Sequence, residues 1–264
     1  MRVEDLSKVL ADLKGTSVKR PNGTLAGHAA GLPFERVVHE RLEKAFPRRT
    51  YRHFELLNKI LESHPECQEA NNRLELLGPP SLQYLLKRGK KAMNGWTTSN
   101  RFIEKQNDTA ETVILPTSKI EICPTSSAPT ILVDVKTQDE QKKAQPPNII
   151  SAVKVANACC LSLGSENFLP FDIAYVGIKW SAGSKDLVLK DISVVSLTRI
   201  KPATIYINWA AAQQIQFHPF DVDTSFRGTR KEWAQEYLEV FCEQLERRIA
   251  KERVKLLGFK KFIS

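Results

Sequence analysis

The sequence predicts a single α/β domain spanning residues 1–264, with a mixed central sheet flanked by helices. Apolar residues at helical spacing dominate the first part of the chain. β-branched runs alternate with one well-patterned helix through the middle, and a long amphipathic helix closes the chain. No internal repeat, low-complexity segment or proline/serine-rich linker separates two halves.

Residues 3–13 carry the spacing of a short amphipathic helix, which Gly15 ends. Residues 18–31 read as a glycine-rich loop containing Lys19, Arg20 and His28. Its glycines lack the spacing of a P-loop. Backbone amides together with Lys19 and Arg20 can still meet a phosphate, and a plain connector fits the same residues. Pro33 suits a helix start, and Phe34, Val37, Val38, Leu42 and Phe46 follow with helical period. Further helices are expected at 54–61 and 81–86. The second leads into Lys87-Arg88-Gly89-Lys90-Lys91, which reads either as a solvated face or as a clamp on a polyanion.

A helix or turn at 101–106 precedes a strand at 112–115. The polar stretch 116–129 reads as a hairpin connection, with a short strand at 120–123, and 131–137 is the partner strand. After a polar loop at 138–147, Asn148 is placed to cap a helix at 149–163. Strands at 171–180 and 187–197 flank the Gly183-Ser184 turn, and another covers 204–207. Residues 208–217 fit strand or helix. Thr229 can cap the closing helix, 229–257, which is followed by a basic, apolar tail.

The formal net charge of +9 suits a polyanionic partner without requiring one. Five cysteines, an odd number with no CxxC or zinc-type spacing, point to a reduced, cytoplasmic protein without structural disulfides or zinc. The N-terminus lacks the basic head and apolar run of a signal peptide, and no apolar window approaches a membrane span.

The candidate chemistry sits on Ile131-Leu132-Val133-Asp134-Val135-Lys136-Thr137. Residues two apart on a strand share a face, so Asp134 and Lys136 stand side by side while Val133 and Val135 point into a core. A carboxylate and an ammonium on such a strand suit metal-assisted phosphodiester hydrolysis. Magnesium prefers hard oxygen ligands, which Asp134, the backbone carbonyl of Val135 and Glu111 at the mouth of the preceding strand can supply. Lys136, a compact ammonium, can orient a metal-bound water and favour its hydroxide form. A surface ion pair on an exposed edge strand is the competing reading.

Several strings resemble the HincII family of type II restriction endonucleases. They are Gly27-His28-Ala29-Ala30-Gly31, Glu104 to Ala110, Asp134-Val135-Lys136-Thr137, Pro147 to Ala152, Tyr206 to Ala212, Gln214 to His218, and Gly228-Thr229-Arg230 with Glu232-Trp233-Ala234. The matches keep their order along nearly the whole chain. The resemblance implies the PD-(D/E)xK restriction-endonuclease-like fold, a homodimer, Mg2+, and blunt cleavage of double-stranded DNA at GTYRAC. It also implies a cognate methyltransferase in a prokaryotic host.

Within that resemblance, Asp134 and Lys136 match the second acid and the lysine of the motif. Glu111 falls where the family carries aspartate, with Asp108 as the rival ligand, and the segment from Glu111 to Asp134 is longer here. Ala144 and Gln145 match a pair that wedges into DNA from the minor groove, so sequence is read partly as deformability. Asn208 matches a residue that reads the outer base pair, Gln106 and Asn148 lie in matching strings and can contact DNA near the centre of the site, and Tyr206, in another matching string, is a further DNA-binding candidate. His28 and His218 suit structural or phosphate-contact roles better than metal binding. Two alternatives share this fold: a DNA-binding protein with a degenerate site, and a nuclease with another target.

Overall fold

The computed structural model describes residues 2–21, 28–52, 55, 56, 59, 112–118, 129–142, 146–164, 171–210 and 213–263. Four α-helices are described: α1 (Val3–Leu10), α2 (His28–Ala45), α3 (Ala152–Leu163) and α4 (Arg230–Lys260). The strands are β1 (Ser17–Lys19), β2 (Thr50–Arg52), β3 (Thr112–Ile114), β4 (Thr130–Asp139), β5 (Asn148–Ser151), β6 (Phe171–Ala182), β7 (Asp186–Ser196), β8 (Tyr206–Asn208) and β9 (Gln214–Gln216). A six-stranded sheet runs β1-β7-β6-β4-β3-β2, and a three-stranded sheet runs β5-β9-β8. β4 and β6 are parallel and every other described pairing is antiparallel, so the main sheet is mixed as expected.

Both faces of the main sheet are covered, which explains why its strands read as near-continuous apolar runs. On one face Ile131, Val133, Ala174, Val176 and Ile178 pack against Leu6 and Leu10 of α1 and Phe34, Val38 and Leu42 of α2. On the other, Leu132, Ile173, Tyr175 and Val195 pack against Val155 and Cys159 of α3 and Trp233, Tyr237 and Phe241 of α4. Ile149, Ile207 and Ile215 of the small sheet join this second core. Among the described residues no helix is long and apolar enough to cross a membrane.

Several expectations are corrected. Residues 17–19 are strand β1 rather than loop, because β7 presents an edge whose register sets Ser17 opposite Val188. α2 starts at His28, with Pro33 inside the helix. The good helix formers Ala29 and Ala30 extend it backward past the proline, which withholds only one intrahelical donor. Asn148 is the first residue of β5 and caps no helix; α3 begins four residues later with Ser151 at its N-cap. Pairing of Asn148 with Gln216 takes up these residues instead. Pro202–Thr204 is a 3-10 turn, so the following strand is Tyr206–Asn208. The ambiguous 208–217 stretch contains β9.

The closing helix is capped as expected. Thr229 Oγ1 accepts from the Glu232 amide at 3.1 Å, and the Glu232 carboxylate accepts from the Thr229 amide at 2.6 Å. The same helix start anchors to the sheet through Arg230. Its Nη2 lies 3.2 Å from Oδ2 of Asp172, a carboxylate on β6 that is only 1% exposed. Ser196 and Thr198 also donate to Asp172. Burial pushes the Asp172 carboxyl above its ordinary value, against the opposing pull of Arg230 and the two hydroxyls.

Arg230→Ala removes the cation and leaves the buried acid. Urea unfolding should register a loss of about 3 kcal/mol or more. Without Arg230 the Asp172 carboxyl rises further, and a raised acid stabilises the fold at low pH and loses that contribution as pH rises through its folded value. The loss should therefore be larger at pH 8 than at pH 5; an equal loss at both would remove Asp172 from the explanation.

Candidate active site

The described part of β3 pairs with β4 up to Thr112 opposite Val133. From Asp134 to Asp139, β4 has β6 as its strand partner among the described residues. This segment carries the acid and the lysine. Lys136 Nζ lies 2.9 Å from Asp134 Oδ2 and 3.1 Å from Oδ1. The side chains are 28% and 20% exposed respectively, shielded on one side yet open to a ligand. Val133 is buried and Val135 packs beside it in the α1/α2 core, so the alternation along this strand holds.

The parallel ladder sets Tyr175 level with Asp134 and Gly177 level with Lys136. The Tyr175 ring meets Phe217 edge-on at 5.3 Å. A Cβ on Gly177 would fall 2.6 Å from Pro219 Cβ and 3.1 Å from the Phe220 ring, so this approach requires glycine. Ser193 Oγ donates to the Pro219 carbonyl at 2.8 Å and holds the segment down. The chain leaving β9 is thereby pressed onto β6 next to the Asp134–Lys136 pair.

That segment comes from the small sheet, whose outer face is polar. Asn208 Nδ2 donates to Gln216 Oε1 at 3.2 Å, and Gln216 Nε2 donates to Asn148 Oδ1 at 2.7 Å. The Ala210 amide donates to Asn208 Oδ1 at 3.1 Å. Three amides thus form a relay across β8, β9 and β5, beside Tyr206, which is 61% exposed. Ile149, Ile207 and Ile215 are buried behind them. The sequence reading named Asn148, Asn208 and Tyr206 but passed over Gln216. The alternation in Gln214-Ile215-Gln216 was the available signal.

Behind β3, His39 of α2 is buried and lies 3.0 Å, Nδ1 to Oγ1, from Thr112. Burial first, and the Arg52 charge second, lower its pKa to about 4. Thr112 immediately follows Glu111, so this contact fixes the start of the described strand. Glu111, Asp108, Gln106, Ala144 and Gln145 lie outside the described residues. No cluster of three or more metal-type side chains occurs among the described residues.

A mixed sheet with an acid and a lysine two apart on a central strand, beside a small polar sheet, defines a restriction-endonuclease-like nuclease domain. A family model described as restriction endonuclease HincII matches residues 9–263. The chain is 41% identical over 262 residues to the type II restriction enzyme HindII of Haemophilus influenzae, covering 98% of this chain and 96% of the relative. It is 40% identical to the type II restriction enzyme HincII of Haemophilus influenzae over the same shares. The chain belongs to the HincII family of restriction endonucleases and is a type II restriction enzyme.

Two outcomes follow from the geometry. Gly177→Ala should cost about 1–3 kcal/mol in thermal or urea unfolding, because backbone-borne Pro219 must move to admit the methyl group. An unchanged melting temperature would contradict the contact. His39 is held neutral, so its contribution to stability is present above its unfolded value of 6.5 and is lost as pH falls toward about 4. His39→Asn should flatten the stability–pH curve in that window, and NMR titration of the wild-type ring should give a midpoint near 4.

Proposed function

We propose that residues 1–264 act as one magnesium-dependent endonuclease domain that cuts both strands of DNA at a short palindrome. The target is GTYRAC, cut to blunt ends with 5′-phosphate and 3′-hydroxyl termini. The observation carrying this reading is the Asp134–Lys136 pair, made at 2.9 Å on β4 with both side chains partly exposed. An oxygen-rich set fits the proposed ion: the half-shielded Asp134 carboxylate, the Val135 carbonyl and Glu111 would hold Mg2+. Bound there, Mg2+ supplies charge to offset the phosphate in the transition state and to acidify a water. Support for Glu111 comes from register, since its neighbour Thr112 pairs with Val133, the residue before Asp134.

The chain's own groups do the rest. Lys136 lies against Asp134 and can turn to orient the attacking water and stabilise its hydroxide form. The water oxygen forms a bond to phosphorus, the bond from phosphorus to the 3′ oxygen breaks, and that oxygen leaves as a hydroxyl. Asn208, Asn148 and Tyr206 read base edges from the small sheet, joined by Gln106. Ala144 and Gln145, on the connection between β4 and β5, wedge into the central step. A YR step unstacks most readily, which suits a target degenerate at its centre.

A palindrome is read by a homodimer, each subunit taking one half-site and cutting one strand. The protein acts on DNA in the prokaryotic cytoplasm, alongside a methyltransferase that protects the host genome.

Sequencing the ends cut from a random-sequence DNA library reports activity, target and cut position together. Blunt ends within GTYRAC are expected; a different sequence replaces the target, and no cutting with Mg2+ present overturns the enzyme reading. Lys136→Ala should keep DNA binding in gel shifts and lose cleavage by about 10²–10⁴-fold. Glu111→Ala should do the same while Asp108→Ala stays active; the reverse pattern makes Asp108 the ligand.

A further inference from the structure

A groove of about 600 Å3 lies between the end of β1 and the first half of α2, away from the Asp134–Lys136 pair and the amide relay. Lys19, Arg20 and Pro21 form one wall, and Leu32, Pro33 and Arg36 the other. Lys19 and Arg36 are exposed on its rim. Among the described residues no carboxylate lines it. The floor is apolar, with Val18 and Val37 completing it. Three cations over an apolar floor match a nucleic-acid backbone, whose phosphates alternate with apolar sugar faces.

The groove is built rather than incidental. The Arg20 amide donates to the Lys185 carbonyl at 2.9 Å, and Arg20 Nη1 donates to the Gly183 carbonyl at 3.3 Å. These bonds fasten the exit of β1 to the β6–β7 turn and set exposed Lys185 beside it. Its place in the sheet matters as much. Lys19 pairs with Asp186 just past the Ala182–Leu187 pair, and Asp139 at the end of β4 is level with Trp180. β1, β6 and β4 therefore end along one edge of the sheet. β1 stands three strands from β4 in the order β1-β7-β6-β4, which is about 14 Å. That distance covers a few phosphates of a duplex lying along the edge.

We propose that this groove binds the DNA sugar–phosphate backbone flanking the recognition sequence, adding affinity without base specificity. The proposal rests on the DNA-cleaving reading above. The contacts extend past the recognised bases, so they need a duplex longer than the site.

The test measures binding of the full-length protein in metal-free buffer, where nothing is cut. Duplexes carrying GTYRAC are used at about 12 and about 30 base pairs, across a salt series. The double variant Lys19→Ala/Arg36→Ala should bind the long duplex about tenfold more weakly, with a log–log salt slope shallower by about 2. On the short duplex it should match the wild type within about twofold. The conservative pair Lys19→Arg/Arg36→Lys should restore wild-type values, and Lys251→Ala/Lys255→Ala on α4 should leave both duplexes unaffected. Unchanged affinity and slope on the long duplex, or equal losses on both lengths, overturn the proposal while the cleavage reading stands. A wild type that binds neither duplex overturns both.

Discussion

The parallel pairing of β4 with β6 is the constraint on which the rest depends. It runs unbroken from Thr130 opposite Phe171 to Asp139 opposite Trp180. A parallel pair needs a crossover, and β5 with α3 provides it. α3 packs Val155 and Cys159 onto the face that also carries Asp134 and Lys136. The ladder decides which side chain each charged residue meets: a buried aromatic ring beside the acid, and a bare glycine backbone beside the lysine. Slipping the register by one residue would turn both charges into the α1/α2 core. No partner is described there for a carboxylate, and burying it unpaired would cost several kcal/mol.

Because Gly177 has no side chain, the same ladder also holds the small polar sheet. Pro219 rests where a Cβ would otherwise stand, and Phe217 meets Tyr175. Both belong to the chain leaving β9, whose Gln216 is the centre of the amide relay. Displacement of the small sheet by a bound duplex would thus be transmitted to the backbone next to Lys136 through close-packed atoms, which yield little to compression. This is a short mechanical path from base contact to candidate chemistry.

What was legible in the sequence was what local pattern determines. The period of two along Ile131 to Thr137 placed Asp134 and Lys136 together, and they meet. Thr229 announced the cap of the closing helix, and it forms, with Glu232 completing a capping box. The strands missed or misread, β1, β2 and β5, have three or four residues each and form through distant partners such as Val188, Ile114 and Gln216. At Asn148 a local capping signal competed with a pairing 68 residues away, and the pairing won. Gln216 and Gly177 carried no distinguishing local signal either, since their roles come from what lies across the sheet or above it. Ordered matches of whole strings identified the family, because they sample many positions whose roles need not be known singly.

Under the proposed function, the relay constrains what the small sheet would read. An asparagine or glutamine offers one oxygen and two N–H groups. Gln216 commits its oxygen to Asn208 and one N–H to Asn148, and Asn148 commits its oxygen in return. Asn208 Oδ1 accepts from the Ala210 amide. Each carbonyl already holds one hydrogen bond, and the Asn148 Nδ2 amino group takes no part in the relay. Donors select acceptors: guanine O6 and N7, adenine N7 and thymine O4 in the major groove. A guanine presents two such acceptors together, whereas cytosine presents a donor there, which an amino group meets with repulsion. Under the proposed function, the same hydrogen bonds that lock the amides against flipping would present the Asn148 amino group to an acceptor edge. Discrimination then arises from an unsatisfied donor in the wrong complex as much as from a bond in the right one.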